Sequence, residues 1–247
     1  MDRYAELFQR HDGVFVPFFM LGDPSYEDSK RIITQAIAAG ADALELGISF
    51  SDPVADGPTI QRAHLRAAST TPSKALALVA EIRAEHPEIP IGLLVYGNVA
   101  FSMGFETFYA ALAEAGVDSV LIPDVPVRES APFRASARQH GIKQVFIAPP
   151  HASQETLGMV AAHSEGYIYA VSRDGVTGTE REAQFEAIHK GDTPVLLGFG
   201  VSTPAHVKAA RAAGADGVIV GSALVKLIES GEQDLIPDRI KALKDAL

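Results

Sequence analysis

The chain has 247 residues, 47% of them hydrophobic and 21% charged, which supplies a sizeable core and is unlike a disordered chain. A formal net charge of -10 with no Lys/Arg run argues against a nucleic-acid or anionic-membrane partner, because such surfaces need a basic patch to displace counterions. The absence of cysteine excludes disulfides, thiolate metal sites and a cysteine nucleophile, and it suits a cytoplasmic setting.

Met1-Asp-Arg-Tyr opens a polar helix over residues 2–11 and does not read as a signal peptide. The apolar run that follows, Val14 to Leu21, is interrupted by Pro17 and falls far short of the ~20 residues of a membrane helix. From there one device recurs: an alanine-rich helical segment, a glycine, then a short apolar run. Gly40, Gly116, Gly141 and Gly214 each fit the left-handed position that ends a helix. The runs after them, beginning at Ala43, Ser119, Gln144 and Gly217, have the continuous apolar character of strands buried on both faces. Val14–Met20, Ile91–Tyr96, Tyr167–Val171 and Pro194–Leu197 meet the same criteria, which brings the strands to eight, with helical patterns between them and a last helix over 235–246.

Such alternation demands parallel pairing through helical crossovers, and eight units in a chain of this length match a closed (β/α)8 TIM barrel with extra N- and C-terminal helices. An open doubly wound sheet is the competing architecture, but Gly22-Asp-Pro-Ser follows the first strand where a Gly-x-Gly-x-x-Gly would be expected. No linker or break in composition divides the chain, so residues 1–247 read as a single barrel domain.

In a barrel the chemistry sits at the carboxyl ends of the strands. Polar residues at those ends are Glu45, Asp56, Tyr96, Asn98, Asp124, Tyr169, Ser172 and Arg173. Glu45 lies inside an apolar run, where an unpaired carboxyl is costly unless it has a role, and Asp56 lies in a wetter Pro/Gly loop. Two acids in contrasting surroundings acquire different pKa values. Gly198-Phe-Gly200 follows strand seven and Gly221-Ser222 follows strand eight at the start of a helix, the place where such barrels hold phosphate. The polar segment Ser172 to Thr179, with Gly175 and Gly178 as hinges, suits a lid that excludes water.

All eight lysines fall on helices, in connecting segments or at the start of a strand, so imine chemistry lacks a nucleophile. His64, His86, His140, His163, His189 and His206 read as helix or helix-end residues and only His151 as a loop residue above the barrel, so no metal site is expected. General acid–base catalysis by carboxylates remains.

Leu44-Glu-Leu-Gly-Ile-Ser-Phe-Ser-Asp-Pro-Val-Ala-Asp-Gly-Pro58 closely resembles the signature of the tryptophan synthase alpha subunit family. Phe15-Val-Pro-Phe-Phe-Met-Leu-Gly-Asp-Pro24, Tyr96-Gly-Asn98, Asp124-Val-Pro-Val127, Ala148-Pro-Pro150, Ser172-Arg-Asp-Gly-Val-Thr-Gly178, Gly198-Phe-Gly200 and Val220-Gly-Ser222 extend the resemblance over nearly the whole chain. It implies retro-aldol cleavage of indole-3-glycerol phosphate to indole and glyceraldehyde 3-phosphate, with no cofactor on this chain. By the same resemblance Glu45 is the catalytic glutamate and Asp56 the aspartate that stabilises positive charge at the indole nitrogen. Gly178, Gly200, Gly221 and Ser222 correspond to phosphate-binding positions, and Phe18, Leu94, Leu121, Tyr169 and Phe199 to walls around the indole. Arg173 and Thr177 fall in the lid, where Thr177 would engage Asp56 on closure.

The family works with a beta subunit carrying pyridoxal phosphate, in an alpha2beta2 heterotetramer. Ser49, Asp52, Pro53, Val54, Asn98 and Phe101 would carry the contact surface. Ser49 stands where the family usually has proline, which would loosen the loop, and Asp174 replaces a commonly small residue in the lid. The alternative function is a non-catalytic or weakly active subunit that chiefly activates its partner.

Overall fold

The computed structural model describes residues 2–150, 152–171 and 193–247. Strands Val14–Met20 (β1), Leu44–Gly47 (β2), Ile91–Leu94 (β3), Ser119–Leu121 (β4), Lys143–Ala148 (β5), Ile168–Val171 (β6), Val195–Gly198 (β7) and Gly217–Val220 (β8) pair in parallel with their neighbours in chain order. β8 pairs back to β1, with Val14 opposite Gly217 and Pro17 opposite Val220, and the barrel closes.

Alternate residues of each strand serve two different cores, as the period of two requires. Phe15 and Phe19 of β1 pack into the layer shared with the outer helices. Val14 and Val16 instead join Leu121, Val145, Tyr169, Leu196 and Ile219 inside the barrel. The same parity places Leu44 and Leu46 outward and Glu45 inward, opposite Phe18 of β1 and Gly92 of β3.

The repeated glycines take positive φ where the helices end, with Gly116 at +80° and its N–H bonded to the carbonyls of Leu112 and Ala113. The aspartates two residues further on have a structural task that their sequence context did not announce. Asp118 donates its N–H to Ile91 O at 2.8 Å and accepts the Ile91 N–H on Oδ2 at 2.8 Å. Asp42 clamps Phe15 and Asp216 clamps Val195 by the same pair of bonds. Each carboxylate thereby satisfies a backbone donor at the amino end of the neighbouring strand.

The first helix, Arg3–Arg10, lies against the amino end of the barrel, where the Tyr4 hydroxyl meets Ser119 Oγ at 2.8 Å and its ring sits 5.5 Å from that of Tyr167. The last helix, Ile236–Lys244, buries Ile236, Ile240 and Leu243 at helical spacing. Most boundaries shift by a residue or two from the sequence reading; at β3 the strand stops at Leu94, because Tyr96 is the N-cap of the helix Gly97–Met103.

Candidate active site

Glu45 is 2% exposed, and parity alone aims it into the barrel above a layer of apolar side chains. Burial pushes its carboxyl up to about 8; the hydroxyl of Tyr167, which donates to Oε1 at 3.3 Å, opposes this, and the nearby Asp56 adds to it. Glu45 therefore rests in the acid form at neutral pH. Its neighbour on β3, Gly92, leaves room for the Tyr4–Ser119 pair, on which a side chain there would press.

Asp56 arrives from the loop between β2 and the helix Pro58–Arg66, and it is also buried. Tyr96 donates its hydroxyl to Asp56 Oδ2 at 2.7 Å and accepts the Ala55 N–H at 3.0 Å. Burial, then the adjacent Asp56 carboxylate, hold the Tyr96 proton on well above the ordinary phenol range, so it stays a donor. On the same oxygen, His64 Nε2 approaches at 3.1 Å from two turns along the helix. Reading His64 as a plain helix residue was incomplete: it is on the helix, but its buried ring faces the candidate carboxylate. That helix is pinned by Arg66, which grips buried Asp23 beyond β1 with two hydrogen bonds of 2.7 Å.

Glu45 and Asp56 share one cleft with Phe18, Leu94, Tyr169, Phe199, Gly200, Gly221 and Ser222. Counted to its open mouth, with the solvent there included, it encloses about 440 Å³. Ile60, Val201 and Ile219 complete the wall; nothing in their sequence context distinguished them from core residues. Phe199 has φ +60°, a strained conformation for a bulky residue, and this presents its ring edge-on to Tyr169 at 5.7 Å. Leu121 does not reach the wall. It packs behind, in the interior cluster with Tyr169 and Leu94. In the same cleft the helix Ser222–Glu229 begins at Gly221 with no side-chain cap; Gly221 O accepts the Leu224 N–H at 2.9 Å, and the N–H groups before it and the dipole are left for an anion. Among the described residues no three His, Asp or Glu side chains gather as metal ligands would.

The family model for the tryptophan synthase alpha chain matches residues 4–245. The chain belongs to the tryptophan synthase alpha chain family. The alpha chain of Corynebacterium diphtheriae is 58% identical over 243 residues, covering 93% of this chain and 87% of that one. Mycobacterium tuberculosis tryptophan synthase superposes with a TM-score of 0.90 at 28% identity, covering 99% and 98%. The tryptophan synthase complex of Pyrococcus furiosus gives 0.87 at 33% identity, covering 95% and 99%. The alpha reaction of this family is the lyase cleavage of indole-3-glycerol phosphate.

Other residues that the alpha-chain resemblance singled out lie outside the cleft's lining. Asp52, Val54, Asn98 and Phe101 are exposed and Pro53 is half-buried; Val54 and Phe101 are 74% and 70% exposed, unusual for large apolar side chains. Ser49 is different. It is half-buried, and its Oγ donates to His64 O at 2.8 Å, so the hydroxyl ties the loop to the helix end instead of loosening it. Asp124 has a structural part, accepting the Gly97 N–H at 2.8 Å. Arg173, Thr177 and Gly178, with Ser172, Asp174, Gly175 and His151, lie outside the described residues.

Proposed function

We propose that this chain, one barrel domain across residues 1–247, performs the alpha reaction with Glu45 as its proton carrier. The observation that supports this most is one cleft lined by a largely protonated Glu45, a hydrogen-bonded Asp56 and the uncapped helix start at Gly221. The phosphate of indole-3-glycerol phosphate would lie against Gly200, Gly221 and Ser222, with Gly178 joining from the lid that carries Arg173 and Thr177. Phe18, Leu94, Tyr169 and Phe199 would sandwich the indole, with Leu121 behind them.

Cleavage then needs no external proton. Glu45 gives its proton to indole C3, and positive charge develops at the ring nitrogen, where Asp56 accepts the N–H hydrogen bond. The carboxylate so formed takes the proton of the glyceryl hydroxyl at the carbon attached to C3; that carbon becomes the aldehyde, the C–C bond breaks, and its electron pair restores neutral indole. Glu45 ends as it began, in the acid form. A pKa near operating pH suits one group to both transfers.

The product indole would pass to a beta subunit bearing pyridoxal phosphate, within an alpha2beta2 assembly; this chain needs no cofactor of its own for the steps above. The docking face would be the rim of Asp52, Pro53, Val54, Asn98 and Phe101, with Ser49 at its inner edge. Phe50, beside the first of its segments, stacks on Tyr96, beside the second, at 5.2 Å, which supports reading them as one face. No helix among the described residues is long and apolar enough to cross a membrane, and we place the protein in the cytoplasm.

The test is release of indole from indole-3-glycerol phosphate by the purified chain, with and without a beta subunit. Glu45→Gln, nearly isosteric, should fold and lose at least the ~10²–10⁴-fold typical of a positioned acid–base group. Near-normal release by that variant would overturn the mechanism.

A further inference from the structure

We infer that His64 is a positioning residue that aims Asp56 at the indole nitrogen. The inference rests on the alpha-reaction reading above and adds to it a residue outside the acid–base pair. Its first support is the tautomer. His64 Nδ1 accepts the Phe50 N–H at 3.0 Å, so the ring proton belongs on Nε2, and Nε2 can only donate to Asp56.

The second support is where the bonds fall. Both donors, His64 Nε2 at 3.1 Å and Tyr96 Oη at 2.7 Å, act on Asp56 Oδ2. Among the described residues none donates to Oδ1. Two donors converging from different elements fix the plane of the carboxylate and leave its other oxygen for a ligand N–H. The aspartate belongs to a loop, whereas its two donors stand on a helix and at a helix N-cap, so their scaffold sets its direction. His64 itself is held at three points: its ring by Phe50, its carbonyl by Ser49 Oγ, and its helix by Arg66 on Asp23.

Two substitutions separate the two ring nitrogens. In His64→Gln the terminal amide reaches the place of Nε2 and keeps a donor for Asp56. In His64→Asn the shorter side chain keeps an acceptor for Phe50 and loses that donor. We expect His64→Asn to lower kcat by about 10–100-fold, the usual worth of a hydrogen bond to a charged group, with KM and the affinity for glyceraldehyde 3-phosphate close to wild type. His64→Gln should recover most of the rate even if its thermal stability is the lower of the two. Equal loss in both variants, or a loss confined to KM, would overturn the inference by making the ring a packing element. Wild-type rates in His64→Asn, alongside an inactive Asp56→Asn, would overturn it while leaving the alpha reaction intact. An inactive wild-type chain would instead overturn the underlying functional reading.

Discussion

Tyr167 donates its hydroxyl to Glu45 Oε1 at 3.3 Å, and among the described residues it is what holds that carboxyl down while burial and Asp56 push it up. Tyr167 keeps its own proton, because burial and then Glu45 raise it well above the ordinary phenol range. Removing the donor in Tyr167→Phe should therefore raise the Glu45 pKa further and move the alkaline limb of kcat/KM, set by Glu45 near pH 8, to higher pH. A pH–rate profile of the two proteins checks this. An unmoved limb with a lowered melting temperature would reduce Tyr167 to a packing role.

The same carboxyl couples stability to pH, and the sign follows from its raised value. Folded Glu45 keeps its proton up to about pH 8, whereas the unfolded chain releases it near the ordinary glutamate value of 4.5. The folded state thus loses stability relative to the unfolded state as pH rises from 4.5 through about 8, by at most ~1.4 kcal/mol per pH unit. Glu45→Gln has no proton to lose there. Its stability advantage over the wild type should grow across that window and level off above it, as thermal melts at pH 5, 7 and 9 would show; parallel curves would place the carboxyl's pKa elsewhere.

Gly221 combines two requirements at the anion end of the cleft. A Cβ there would stand 3.3 Å from Phe18 Cβ and Cδ1, and its backbone opens the uncapped helix Ser222–Glu229. Gly221→Asp adds a fixed negative charge where the phosphate would lie and presses on an indole wall. Like-charge repulsion of a few kcal/mol at a partly exposed position corresponds to KM raised about 10²-fold or more. Titration with glyceraldehyde 3-phosphate reads the phosphate contribution alone, and unchanged affinity would move the anion site elsewhere.

The barrel was legible because a parallel sheet buried on both faces leaves continuous β-branched runs, and because four of the helices run into a glycine just before the next strand. Glu45 was legible for the opposite reason, as a charge inside such a run. His64 and Tyr167 were not, since a histidine on a helix and a tyrosine at a strand start carry no local mark of what they face. Their partners lie 8 and 122 residues away in the chain, and only the closure of the barrel and the fold of one loop bring them together. Ser49 shows the same limit: judged from its neighbours it loosens a loop, whereas in three dimensions it holds the end of the helix that carries His64. The aspartates of the repeated Gly-x-Asp device were visible but silent, because the strand each one clamps precedes it by 21 or 27 residues.

Asp118 is the most heavily engaged of these clamps and gives the clearest stability test. Besides Ile91 it binds Arg83 at 2.6 Å and Arg3 at 2.8 Å, with its side chain 11% exposed and that of Arg83 12% exposed. Asp118→Ala leaves the Ile91 N–H without its acceptor and takes the counter-charge from a largely buried guanidinium, which keeps only the carbonyls of Gly116, His86, Pro87 and Ile89, while Arg3 keeps only Pro87 O. Breaking such a buried network from one side costs about 2–4 kcal/mol. The pair Arg128–Glu155 has a comparable separation of 2.8 Å but is 62% and 74% exposed, so Arg128→Ala should change stability by less than ~0.5 kcal/mol. Urea unfolding of both variants decides between burial and mere proximity as the source of the effect; equal losses would contradict the structural role assigned to the clamp.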